Sequence, residues 1–248
     1  MRPYDGSVLA NRRRALNMIT VTFAVLGALA ACGPAQPTAT PKASTPTPTP
    51  TPRPTPTPTP DSESVSVVAT GVGTYLLAAI PVAVIHNDAH AHATTGLIVH
   101  FTTHRVNGAP LGSLDAVPVN LLAGETLAVA ANCTDACNNA AGADATVTIG
   151  HWLDTGGISV TAAGATYQCG TCRGGHGYGH VNGMLTAAGL ASNAAVVAFA
   201  VCRDAGGAIL GGGVSHLVWP GGASFAIEVS VVINDTPAAC ELGASTGW

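Results

Sequence analysis

Leu97-Ile98-Val99-His100-Phe101, running on through Arg105, Asn107-Gly108 and Leu111-Gly112, is answered in the second half of the chain. The answering stretch is Val196-Val197-Ala198-Phe199, running on through Arg203, Asp204-Ala205-Gly206-Gly207 and Leu210-Gly211. Each copy is an apolar run, a turn built on glycine with Asn or Asp, and a second apolar run, which is the pattern of a β-hairpin. Counting in twos places Leu97, Val99 and Phe101 on one buried face, and likewise Val197, Phe199 and Val201. The opposite faces are lighter, carrying His100 and His104 in the first copy and Ala198 and Cys202 in the second. That parity points the histidines to the surface.

Outward from these hairpins the chain continues to repeat. Val65-Ser66-Val67 with Thr74-Tyr75 returns as Ile158-Ser159-Val160 with Thr166-Tyr167. Leu122-Ala123-Gly124 before Leu127-Ala128-Val129 returns as Trp219-Pro220-Gly221 before Phe225-Ala226-Ile227. Matching order and near-equal spacing predict a duplicated unit. The region is rich in Ala, Val, Gly and Thr and poor in the Glu, Lys, Arg and Gln that fill exposed helix faces, and it shows no long period of 3.6. The expectation is an all-β chain with two tandem immunoglobulin-like β-sandwich domains, residues 62–153 and 154–248, each close to the roughly 100 residues usual for that architecture.

The second copy, Val197-Ala198-Phe199-Ala200-Val201-Cys202-Arg203-Asp204 with Gly207, Ile209-Leu210-Gly211-Gly212-Gly213 and Pro220-Gly221, resembles the bacterial FxLYD-type domains. Those are immunoglobulin-like modules of exported proteins, in which a strand ends in Asp and a glycine turn. In this chain Arg203 stands where the family pattern has tyrosine. The resemblance implies a sandwich fold and a non-enzymatic role, and it brings no catalytic residues with it.

The N-terminal region carries the address. Arg12-Arg13-Arg14, an apolar run too short for a comfortable membrane span, and the small residues of Leu29-Ala30-Ala31-Cys32 describe an export signal. This stretch resembles bacterial lipoprotein signal peptides. The resemblance implies that residues 1–31 are removed, that the Cys32 sulfur carries a diacylglycerol, and that the mature protein is lipid-anchored at the cell membrane on its extracytoplasmic side. Residues 32–61 then form a tether, since 37–60 are nearly pure Pro and Thr and proline excludes both helix interiors and sheet ladders. At ~3.1 Å per residue such a tract reaches on the order of 70 Å, enough to lift a domain well off a lipid surface.

Charge excludes several partners. Beyond residue 61 the basic side chains are Arg105, Arg173 and Arg203, against eleven acidic ones from Glu63 to Glu241. Such a surface has no patch that would release counterions from phosphates, so it disfavours nucleic acid and anionic headgroups. Membrane attachment falls to the N-terminus.

Cys133, Cys137, Cys169, Cys172, Cys202 and Cys240 make an even set, read as disulfides in an oxidising compartment. The sequence does not fix their pairing. Nearest neighbours would join Cys133 to Cys137 and Cys169 to Cys172, leaving Cys202 for Cys240, whose longer loop would stabilise most. The segment from Cys169 to His180 admits other chemistry. Cys169 and Cys172 as thiolates, with His176 and His180, suit tetrahedral zinc, and the intervening glycines let the loop wrap an ion. Oxidised, the same cysteines staple a hairpin; a redox-active dithiol is the third use, with no strand-to-helix context beside it.

A second cluster comprises His86, His90, His92, His100 and His104. On two adjacent strands, His90 with His92 and His100 with His104 would converge four imidazoles on a surface suited to zinc, nickel or copper. The plainer reading is scattered solvent-facing histidines in a protein short of lysine. No His-Glu-x-x-His or Gly-Lys-Ser/Thr motif occurs, and Asp154, Asp204 and Asp235 read as turn residues. The expected function is a non-catalytic binding or structural lipoprotein, without a cofactor, whose partner is an extracellular protein or glycan. The alternative is a lipoprotein that binds or buffers zinc or copper.

Overall fold

The computed structural model describes residues 63–133, 137–154 and 156–247. Cys32, the export signal and the Pro/Thr tether lie outside the described residues. Within them the chain is all-β, with strands throughout and no α-helix.

In the first half, β1 (Val65–Tyr75), β2 (Ala78–Asn87) and β6 (Thr126–Ala130) form an antiparallel sheet in the order β1-β2-β6. A second sheet is organised on β3 (Ala93–His104). One edge of β3 takes β4 (Pro110–Asp115) and β5 (Val119–Leu121), and the other takes β7 (Gly142–Thr148) and β8 (His151–Leu153). In the second half, β9 (Val160–Arg173), β10 (His176–Ala187) and β13 (Ser224–Ile233) pair as β9-β10-β13. There β12 (Ile209–Val218), β11 (Ala195–Arg203) and β14 (Ala239–Thr246) pair as β12-β11-β14.

The duplication therefore extends to pairing: β1-β2-β6 corresponds to β9-β10-β13, and β4-β3-β7 to β12-β11-β14. In the second half a short β12–β13 ladder, Gly211 to Ile233 and Gly212 to Val232, fuses both triplets into one six-stranded sheet. That sheet rolls until β9 and β14 touch without pairing. Even a bulge recurs, between Thr103 and His104 opposite β4 and between Cys202 and Arg203 opposite β12. Anchored there, Thr103 matches Cys202, Phe101 matches Ala200 and His100 matches Phe199. This is one residue off the alignment drawn through Arg105 and Arg203, and the turns agree with the bulge: the Arg105 N–H bonds the Ala109 carbonyl as the Asp204 N–H bonds that of Ala208.

Leu97, Val99 and Phe101 are fully buried against Ile85 and Val129 of the β1-β2-β6 sheet, as period-2 counting expects. Val197, Phe199 and Val201 of β11 enter that same cluster. The opposite face of β11 departs from expectation. Val196, Ala198, Ala200 and Cys202 are buried too, closing the core of the rolled sheet with Trp219, Val229 and Ile233. Small side chains mark that face because another strand layer packs on it, not because water does. Complete burial of a Phe or Val side chain is worth about 1.5–3 kcal/mol relative to exposure, so the shared cluster binds the halves firmly.

Polar clasps flank this apolar seam. Asn234 Oδ1 accepts from the Thr74 backbone N–H at 2.7 Å and from its hydroxyl at 3.0 Å, while Asn234 Nδ2 donates to the Val72 carbonyl at 2.6 Å. The side chain thus stands in for a pairing strand along β1. At the other end, the Asn120 N–H donates to Ser245 Oγ at 2.8 Å, and that hydroxyl donates back to the Asn120 carbonyl at 2.8 Å. Between them Gly73 lies against the Val232 carbonyl and Gly211 Cα with no room for a Cβ, so glycine permits the backbone contact.

Candidate functional site

The tip of the β1–β2 hairpin is Leu76-Leu77, with Leu76 held at φ 54° and both side chains more than two-thirds exposed. Beside it opens a cleft of about 520 Å³ lined by Thr74, Tyr75, Leu76, Asn139, His176 and Asn234. These residues come from the ends of β1, β10 and β13 and from the turn after Cys137. The Tyr75 ring meets the Tyr178 ring edge-on, at 5.2 Å and 89°. Tyr178 in turn lines a second hollow of about 350 Å³ with Ala79, Ile80, Cys133 and Ser230. An aromatic pair therefore separates two concavities at one end of the molecule. Apart from His176, the lining side chains of the larger cleft are uncharged, combining apolar surface with amide, hydroxyl and imidazole groups. Such a surface binds ligands through ring contact and hydrogen bonds rather than ionic attraction.

None of these positions except His176 emerges from motif reading. Tyr75 enters the sequence argument only as part of the Thr-Tyr repeat. The available signal was rarity: the chain has four tyrosines, and two of them meet here.

The structure pairs the cysteines as nearest neighbours: Cys133 with Cys137, Cys169 with Cys172, and Cys202 with Cys240. The last pair occupies directly opposed positions of β11 and β14. With Cys169 and Cys172 bonded to each other, the Cys/His segment presents no thiolates. Its two imidazoles also part company: His176 lines the cleft, whereas His180 Nδ1 lies 3.2 Å from Glu228 Oε1.

The first-half histidines are distributed otherwise than on two adjacent strands. His90 and His92 precede β3 in a loop, and His100 and His104 lie on β3 itself. The run from Ala93 to His104 forms one continuous strand, so the pairs are separated along the chain direction instead of facing each other across a ladder. The rings of His86, His92, His100 and His104 face carboxylates. His100 Nδ1 is 2.6 Å from Asp115, with Nε2 2.8 Å from the Thr148 hydroxyl; His104 Nε2 is 2.8 Å from Asp144. His92 lies 3.0 Å from Glu63 and 3.7 Å from Asp154, and His86 lies 3.9 Å from Asp88. Among the described residues no group of three or more His, Cys, Asp or Glu side chains is placed to hold a metal ion. Histidine enters six ion pairs here, while Arg203 pairs with Glu241. Histidine takes the part lysine plays elsewhere. Such partly exposed pairs contribute at most about 1 kcal/mol each, and as ion pairs only while the ring is protonated.

Two titrating groups stand apart. Burial pushes the Glu125 carboxyl up from its usual value, against the opposing hydrogen bond it accepts from the Leu122 N–H at 2.7 Å. Burial likewise pushes the Tyr167 phenol up. The Asp residues behave as turn builders: Asp204 Oδ1 accepts from the Gly206 and Ala208 N–H groups, both at 2.8 Å, and Asp235 Oδ1 accepts from the Thr236 N–H. Asp154 instead faces His92.

No protein-family model matches this chain, and no curated protein matches its sequence.

Proposed function

We propose that the protein is a surface-anchored extracytoplasmic lipoprotein whose β-rich head is a non-catalytic binding module, with the cleft beside the β1–β2 tip as its binding end. The carrying observation is convergence: segments around residues 75, 139, 176 and 234 supply one concavity with an aromatic pair at its border. Loops at one end of a strand scaffold are where such architectures concentrate recognition. The two halves are read as tandem immunoglobulin-like modules docked into a single head; the recurring strand pairing and recurring bulge support this. Cys32 carries the lipid, and the Pro/Thr tract holds the head away from the membrane. An extracellular glycan or the uncharged face of a protein suits the cleft's lining better than a strongly charged ligand.

The test is capture of envelope polysaccharide and protein fractions by the immobilised protein. Tyr75→Ala combined with His176→Ala should reduce capture at least about tenfold, as expected for loss of a central aromatic anchor. Thr102→Ala, in the β3 sheet, should leave it intact. Equal capture by all three proteins, or no capture by any, contradicts the assignment.

A further inference from the structure

We propose that the Cys169–Cys172 disulfide is a thiol–disulfide exchange site, at which an external thiolate attacks Cys169 and Cys172 departs under the hydrogen bond of Tyr167. The three disulfides differ in access. Cys202 and Cys137 are fully buried, Cys133 nearly so, and Cys172 and Cys240 half-buried, which leaves Cys169 as the one exposed cysteine among the three disulfides. An incoming thiolate therefore reaches Cys169 Sγ first, and the sulfur that must leave is Cys172 Sγ. That is the sulfur to which the Tyr167 hydroxyl donates, at 3.3 Å. A donor aimed at the leaving sulfur stabilises the thiolate that forms there. Burial raises the Tyr167 phenol, which keeps its proton available for this bond.

The site is built by the sheet. In a regular strand, residues three apart point to opposite faces. Here the β9–β10 register steps from Thr171 opposite Tyr178 to Cys169 opposite Gly179, leaving Gly170 as an extra residue. The bulge turns both cysteines to one side, with their Cα atoms 5.9 Å apart. Pairing persists on either side, at Cys172–Gly177 and at Gln168–His180, so the ladder holds the two sulfurs together when their bond opens. A ring this short also contributes least to holding the chain folded.

The chemistry balances with thiol as the reductant. A thiolate RS⁻ forms a bond to Cys169 Sγ as the Cys169–Cys172 bond breaks, and the electron pair leaves on Cys172 Sγ. A second RS⁻ attacks the outer sulfur of the mixed disulfide, releasing RSSR and the Cys169 thiolate. Water supplies two protons in place of those the two thiols lost. Two RSH are oxidised to RSSR while the protein disulfide is reduced to a dithiol, and the reverse direction reduces RSSR.

The full-length protein in detergent, treated with glutathione, acid-quenched and alkylated for peptide mass mapping, tests this. The Cys169–Cys172 bond should open at least about tenfold faster than the other two, with the early glutathione adduct on Cys169. Tyr167→Phe should slow that opening severalfold while leaving the circular-dichroism spectrum unchanged. Opening of all three bonds together, an early adduct on Cys172, or an unslowed and folded Tyr167→Phe protein would each overturn the proposal. If that variant does not fold, the order of opening and the adduct position in the unsubstituted protein decide alone.

Discussion

β3 and β11 occupy the same slot in the two halves, yet their outward faces could hardly differ more. On β3 that face carries His100, Thr102 and His104, part-exposed and partnered by polar residues of β4 and β7. On β11 the matching positions carry Phe199 and Val201, both buried in the cluster they share with the first half. Within each half the strands pair alike; what differs is whether a neighbour covers the sheet. Side-chain character on the outer face follows docking, while character on the inner face follows the fold.

The largest expected effect comes from breaking that distinction. Phe199→Asp places a charge in the shared cluster and should uncouple the two halves, replacing the single unfolding transition by two at lower urea, whereas His100→Ala should cost no more than about 1 kcal/mol, both read from urea denaturation. The inner face offers a second contrast at the matched pair Thr103 and Cys202. Replacing Cys202 and Cys240 together by Ala opens a link of sequence separation 38 and should cost about 3–4 kcal/mol in the same measurement. Thr103, whose hydroxyl reaches only the Gly112 carbonyl and the Cys137 sulfur, should tolerate Val for about 1 kcal/mol. At the seam, Asn234→Ala removes three hydrogen bonds to β1 and should cost about 2–3 kcal/mol, with amide exchange accelerated first at Thr74.

The smallest effect separates the two corner turns. The first-half corner is closed by Glu125 accepting from the Leu122 N–H, the second by the Trp219 indole donating to the Gly222 carbonyl. Because the folded-state Glu125 value is raised above its usual 4.5, the unfolded chain ionises first. Its contribution is full below the usual carboxylate range and is lost as pH rises through the folded value. Glu125→Gln keeps an acceptor without the charge, so its melting temperature should match the parent in acid and exceed it at neutral pH. A parent-minus-variant difference that is flat with pH would remove Glu125 as the cause.

Much of this was legible in the residues. The alternation of Leu97, Val99 and Phe101 gave a buried face, glycine with Asn or Asp gave the turns, and the repeated motifs anticipated the repeated pairing. The second burial of β11 was not legible, because Ala198 and Ala200 read as a light face whether covered by water or by another strand. The histidine placement depended on where one strand began, which alternation from Ala93 onward does not mark. The cleft was invisible because its walls come from segments far apart in sequence, which the Asn234 amide and the Tyr75–Tyr178 contact join across the fold.

The central claim is that the two halves share one core and fold as one unit. Trp152 on β8 and Trp219 in the second-half core report on them separately. Urea unfolding followed in one protein by the indole NMR signals of both tryptophans should give coincident midpoints, and the two should separate when Phe199→Asp is introduced. Two distinct transitions in the protein with Phe199 intact would contradict the claim.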